Sequence, residues 1–194
     1  MKLTRLGGVN FIKSRLALSV ASLGPLMSDR DMAQMAFREG MSRLGAAVCL
    51  ITTDGPAGRS GMTATAVCSV TDTPPTLLVC INQVTRSHDM FIENGVLCVN
   101  VLAGGHDELA SRFARANEED RFATTTWETG LTGAPILPDA LTIFECRIVD
   151  KIVRGTHSIF ICEVVSTLTG ADKPGLVWFG RRYLAMPPPM PGQP

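Results

Sequence analysis

A mainly β fold, an antiparallel barrel with accessory helices, is what this sequence predicts, and three observations predict it. From residue 46 onward the chain breaks into seven short β-rich runs separated by turn residues. Only two short helical stretches interrupt them, so a parallel sheet, which needs a crossover helix between most strand pairs, has no room. Seven short strands with few helices are best placed in a closed or nearly closed antiparallel sheet, because closure removes exposed edges. The chain has 194 residues, 45% hydrophobic and 19% charged, which suits one domain with its own core and excludes a disordered, collagen-like or coiled-coil chain.

Taken in order, residues 1–30 form a basic leader, with Lys2, Arg5, Lys13, Arg15 and Arg30 against Asp29 alone. Its apolar run, Leu16 to Met27, is too short and too interrupted by Ser, Gly and Pro to span a bilayer. It reads as a disordered or mis-started extension, with a targeting peptide as the other reading. Residues 31–186 are the folded domain. Ala33, Phe37, Met41 and Leu44 recur at helical spacing, predicting an amphipathic helix over 31–44 that packs on the first strand. The strand candidates are 46–53, 61–70, 76–82, 96–102, 141–149, 158–167 and 175–180, with DGPAGRSG as a hairpin signal after the first. Helical stretches fall at 87–93 and 106–114. Residues 187–194, PPPMPGQP, form an unstructured tail.

Charge and motif content exclude several functions. Eighteen basic residues balance eighteen acidic ones, so no overall field favours nucleic acid or an anionic membrane. Six cysteines lie in apolar or β-branched runs, none in a C-x-x-C pair, and only three histidines accompany them. They read as free thiols packed like small hydrophobes in a reducing, cytoplasmic compartment, with no metal site. The dinucleotide fingerprint, the P-loop and the G-x-S-x-G elbow are all absent.

Four polar clusters inside apolar runs remain as candidates for chemistry. Along 61–70, strand alternation puts Thr63, Thr65, Val67 and Ser69 on one face and Met62, Ala64 and Ala66 on the other. Such a row suits a flat, polar-edged heterocycle, though an ordinary exposed threonine-rich face has the same pattern. A second strand ends at Asn82, after which Thr85, Arg86 and Ser87 open a helix; hydroxyls, a guanidinium and helix amides can hold phosphate, or simply cap the helix. Arg112 and Phe113 share one helical turn in ELASRFARA. His157 sits in RGTHS, a glycine-bearing turn before a strand, where it can touch a ligand at the barrel mouth or serve only the turn.

The block Ala46 to Asn82, with GVLCVNVL, RFA, the Gly155-Thr156-His157 triplet and GLVWFGRRY, resembles the short-chain flavin reductases. These include reductase components of two-component aromatic hydroxylases and the flavin reductase of pyrimidine degradation. The resemblance runs from about Phe37 to Tyr183 and implies a split β-barrel of the antiparallel, Greek-key, FMN-binding type that forms a homodimer. It implies FMN or FAD as the flavin, NADH or, less readily, NADPH as the hydride donor, and a separate monooxygenase, a phenol- or resorcinol-type hydroxylase, as the recipient of reduced flavin. The ring is expected against Thr63, Ala64, Thr65, Ala66, Ser69 and Val70, and against Cys80, Ile81 and Asn82. Thr85, Arg86 and Ser87 are expected at the phosphate, with Ser111, Arg112 and Phe113 contributing, and His157 at the nicotinamide as the catalytic residue. Where relatives carry Ser or Asn in the phosphate loop, this chain has Thr85, Arg86 and His88, which leaves FMN against FAD open. Two other readings share the barrel: a flavin carrier, and an enzyme with tightly held flavin acting on another small molecule.

Overall fold

The computed structural model describes residues 28–115 and 121–188, which divide into one compact unit ending at Arg43 and another beginning at Leu44. The expectations for residues 1–27 and 189–194 lie outside the described residues. In the first unit, α1 (Asp29–Ser42) starts two residues earlier than predicted. The cause is a capping box: the Ser28 hydroxyl accepts from the Asp31 amide at 3.2 Å, and the Asp31 carboxylate accepts from the Ser28 amide at 3.1 Å.

In chain order the second unit contains β1 (Ala46–Ala47), β2 (Cys49–Thr53), β3 (Ser60–Ala64), β4 (Val67–Asp72), β5 (Pro75–Asn82), α2 (His88–Asn94), β6 (Val96–Val101) and α3 (Asp107–Ala114). It continues with β7 (Glu128–Thr129), β8 (Pro135–Ile136), β9 (Thr142–Arg154), β10 (His157–Thr169), β11 (Gly175–Phe179) and β12 (Arg182–Met186). Seven strands form an antiparallel sheet in the order β3-β2-β6-β9-β10-β5-β4, and β1, β11 and β12 form a second sheet.

The order of the large sheet dictates its shape. β3 and β4 occupy opposite edges, yet only Thr65 and Ala66 connect them. Three Cα–Cα steps span at most about 11 Å. Seven strands laid flat would put those edges about 29 Å apart. The sheet must therefore roll into a barrel with one seam, across which no β3–β4 ladder runs among the described residues. This is the split barrel that the resemblance implied.

The seam also corrects the reading of residues 61–70 as one strand. The chain leaves strand geometry at Thr65–Ala66 to cross from edge to edge, so the alternation assigned to Thr63 through Ser69 does not run through. The Ala66 carbonyl still accepts from the Cys80 amide at 3.0 Å, which starts the β4–β5 ladder. β12 was not expected; it closes a hairpin through Gly180 and Arg181, with φ of 57° and 62°, as a type I′ turn demands.

Both faces of β2 are buried and feed different clusters. Cys49 and Ile51 join Val79, Ile81, Phe91, Leu97, Val99 and Phe160, whereas Val48 and Leu50 join Leu102, Phe113, Leu137 and Leu176. The six cysteines are free thiols; burial pushes those of Cys49 and Cys162 up to about 12 and those of Cys98 and Cys146 higher, so all four are inert at neutral pH. Cys68 departs from the buried reading and is exposed.

One buried polar knot pins the excursion between α3 and β9 to the barrel. The fully buried Asn100 side chain donates to Leu50 O and Thr52 Oγ1, both at 3.2 Å, and accepts from the Leu137 amide at 2.7 Å. Thr52 in turn donates to Pro135 O at 2.5 Å. Elsewhere, a Cβ at Gly61 would stand 2.9 Å from the Phe113 ring and 3.1 Å from Ile51 O. Gly61→Ala is therefore expected to destabilise by about 1–3 kcal/mol in urea unfolding, as overpacking does. An unchanged midpoint would mean that Phe113 can move aside.

Candidate functional site

The predicted site segments gather where β5 ends, β10 begins and the seam opens. β10 pairs with β5 so that His157 stands opposite Asn82 and Ser158 opposite Ile81. The long β9 and β10 arms are joined by Gly155 and Thr156 alone, Gly155 taking φ 57°, and this tight turn delivers His157 to the sheet end. His157 is exposed, with Nδ1 2.9 Å from Thr156 Oγ1.

Beyond Asn82 the chain folds back on itself. Asn82 Oδ1 accepts from the Val84 amide at 3.2 Å, Asn82 O from the Thr85 amide at 3.0 Å, and Thr85 O from the His88 amide at 2.9 Å. The loop thus formed leaves Arg86 exposed and Thr85 half-buried. Ser87 is buried, its Oγ 2.7 Å from Ser60 Oγ and within 3.4 Å of Gly61 O, so its hydroxyl ties the loop to β3.

On the seam itself, Ala64 is buried, whereas Thr65 and Ala66 are exposed. Thr63 Oγ1 donates to Ala110 O at 2.6 Å and docks α3 on β3. Ser111 and Arg112 are half-buried on α3, while Phe113 is buried, edge-on to Phe122 at 5.1 Å and tilted on Trp127 at 5.6 Å. Phe113 can thus serve a ligand only by holding α3 in place. Cys80 and Asn82 are half-buried and Ile81 is fully buried. Ser69 faces Leu77, with Val70 beyond it, so both are exposed on β4 further from the Asn82 end.

Hydrogen bonds therefore connect the seam, the 82–88 loop, the 155–157 turn and α3 into one region. Sequence reasoning missed several members. Gln83 donates from its amide to Thr156 O at 2.9 Å and from Nε2 to Gly155 O at 3.4 Å. Arg121 Nη1 donates to Gly61 O at 2.8 Å and Nη2 to Arg115 O. Apart from Arg115, their partners lie some 60 to 73 residues away, and no local pattern signals such pairs.

A cavity of about 340 Å³ lies elsewhere, lined by Ala103, Gly104, Gly105, His106, Asp139, Lys173, Pro174 and Ala185, none of them a predicted site residue. Hydrogen bonding from Lys173, with help from His106, holds the Asp139 carboxyl below the usual carboxylate range. No group of side chains able to hold a metal ion occurs among the described residues, and no described helix is long and apolar enough to cross a membrane.

Comparison with known proteins agrees with this fold. Residues 41–187 match the flavin reductase like domain family. The chain is 52% identical over 161 residues to the FMN reductase (NADH) RutF of Pseudomonas syringae pv. syringae, covering 82% of this chain and 90% of that protein. Among solved structures, the Streptomyces globisporus NADH:FAD oxidoreductase SgcE6, in complex with NAD and FAD fragments, matches with a TM-score of 0.74 at 28% identity, covering 83% of this chain and 96% of that one. BorF, the flavin reductase component of a bacterial two-component tryptophan halogenase, matches with the same TM-score and identity over 79% and 98%.

Proposed function

This chain belongs to the flavin reductase like family, and from that premise we propose that it passes hydride from NADH to FMN and releases reduced FMN to a separate flavin-dependent oxygenase. The observation that carries the proposal is the β5–β10 register, which sets His157, in the nicotinamide-type turn, opposite Asn82, where the flavin-type strand ends. FMN and NADH are favoured because the relatives about half identical to this chain are named for that pair.

The residues present fit a flavin. Exposed Thr65 and Ala66 carry no bulky side chain, so a flat ring can approach main chain at the seam, where neither β3 nor β4 has a strand partner on its outer side. Asn82 and Cys80 border that approach, and Thr85 and Arg86 lie one turn beyond to hold the phosphate. FMN, when bound, supplies the hydride-accepting ring; the protein supplies position. Hydride transfer requires donor and acceptor atoms at van der Waals contact, so the main-chain seam and the 155–157 turn serve to hold two flat rings face to face. No protein nucleophile is needed.

The partner is a separate oxygenase, with an aromatic hydroxylase as the class the sequence suggests, and the chain works as a cytoplasmic homodimer. Exposed Val149, Val153, Val165 and Leu168 on the β9 and β10 arms support a second copy there. NADH consumption by purified protein tests the reductase reading. Turnover is expected only when FMN is added, with saturation at low flavin concentration and flavin lost on gel filtration. No oxidation despite tight flavin binding would favour a carrier, and turnover with flavin that never dissociates would favour a dedicated flavoenzyme.

A further inference from the structure

The geometry points to His88 as a positioning residue that locks the nicotinamide turn onto the flavin phosphate loop, an inference that rests on the functional reading above. From the sequence, His88 was only a departure in the phosphate loop. In the fold its ring is buried, 6% exposed, at the start of α2. Nε2 lies 2.9 Å from Ser158 Oγ, itself fully buried, and Nδ1 lies 2.7 Å from the exposed Asp89 carboxylate. The ring also rests 5.7 Å from the Phe160 ring, tilted by 51°.

A carboxylate only accepts, so in the neutral ring Nδ1 carries the proton and Nε2 accepts from the Ser158 hydroxyl. With both nitrogens engaged and one face against Phe160, the imidazole has one orientation. Ser158 is the next residue after His157, and neighbouring strand residues point to opposite faces. Seating Ser158 inward against His88 therefore sets His157 outward at the barrel mouth. Gln83 adds its two bonds to Thr156 and Gly155, so the 83–88 loop grips Gly155, Thr156 and Ser158. The segment expected to hold phosphate and the turn expected to hold nicotinamide consequently move as one body. A change at His88, on the phosphate side, must then be felt by the hydride donor.

The test uses His88→Phe, which keeps a ring against Phe160 but deletes both hydrogen bonds, and Ser158→Ala, which deletes only the partner hydroxyl. Each is expected to raise the NADH KM about tenfold and to lower kcat, with FMN Kd within about twofold of wild type. NAD⁺ titrated into FMN-loaded protein, followed by flavin fluorescence, should show the same tenfold loss without turnover, and the double variant should be no worse than the poorer single one. If His88→Phe fails to fold, Ser158→Ala alone decides. Variants that lower the melting temperature but bind NAD⁺ and NADH as wild type does would overturn the positioning role, as would fully additive effects in the double variant. A wild type that oxidises no NADH with FMN would overturn the functional reading instead. NAD⁺ binding to the flavin-free protein, read by tryptophan fluorescence, then still decides for or against His88.

Discussion

Replacing His157 by alanine is expected to lower kcat/KM for NADH about a hundredfold while FMN Kd changes less than about twofold, the size expected when a positioning contact is lost. The ring stands exposed at the end of a two-residue turn, with Nδ1 engaged by Thr156 Oγ1 and Nε2 making no hydrogen bond within the described residues. A side chain held at one nitrogen and open at the other suits a group that meets a transient visitor. The effect should fall mainly on KM, because the alanine variant still has the seam and the 82–88 loop. Stopped-flow reduction of FMN at several NADH concentrations separates the two constants. Equal losses of NADH and FMN affinity would remove His157 from the nicotinamide side of the site.

Asn100→Ala is expected to cost about 4 kcal/mol of folding stability, several times the effect of a typical surface change. Three buried groups lose the Asn100 side chain at once: the Leu137 amide, the Leu50 carbonyl and the Thr52 hydroxyl, the last keeping only its bond to Pro135 O. A buried donor left without an acceptor suffers the full penalty of lost hydration, whereas the wild-type pair only exchanged one hydrogen bond for another. For a chain of this size that corresponds to a fall of about 8–16 °C in melting temperature. The excursion from β7 to β9 should loosen first, which hydrogen exchange at the Leu137 amide would register. A fall of under about 3 °C would mean that water reaches the knot and satisfies it.

Much of the second unit was legible because its strands obey simple patterns. Leu77, Val79 and Ile81 alternate inward on β5, and β6 is an apolar run buried on both faces, so β-rich runs bounded by turn residues located them directly. The seam was not legible. Thr65 and Ala66 have the same small, β-compatible composition as their neighbours, and what breaks the strand there is the need to cross between sheet edges. β12 was hidden by its turn, where Arg181 adopts a positive φ that sequence statistics reserve for Gly or Asn. The segments of the candidate site were visible one by one, through hydroxyls and a histidine out of place in apolar runs. Their junctions were not: His88 to Ser158 spans 70 residues, and Asn100 to Leu137 spans 37. Only a folded register brings such pairs together.

The two-residue link between β3 and β4 also bears on how the chain finds this fold. Loop closure becomes entropically dearer as the loop lengthens, and the β2–β6, β6–β9 and β5–β10 pairings each enclose a far longer stretch. For the two sides of the seam that term almost vanishes, since they are covalent neighbours even in the denatured chain. Their apposition therefore needs no ladder to maintain it. Strand edges elsewhere in a sheet must saturate one another to hold the fold together. Here covalent continuity does that task and leaves the outer sides of β3 and β4 without a strand partner among the described residues, in a member of the flavin reductase like family.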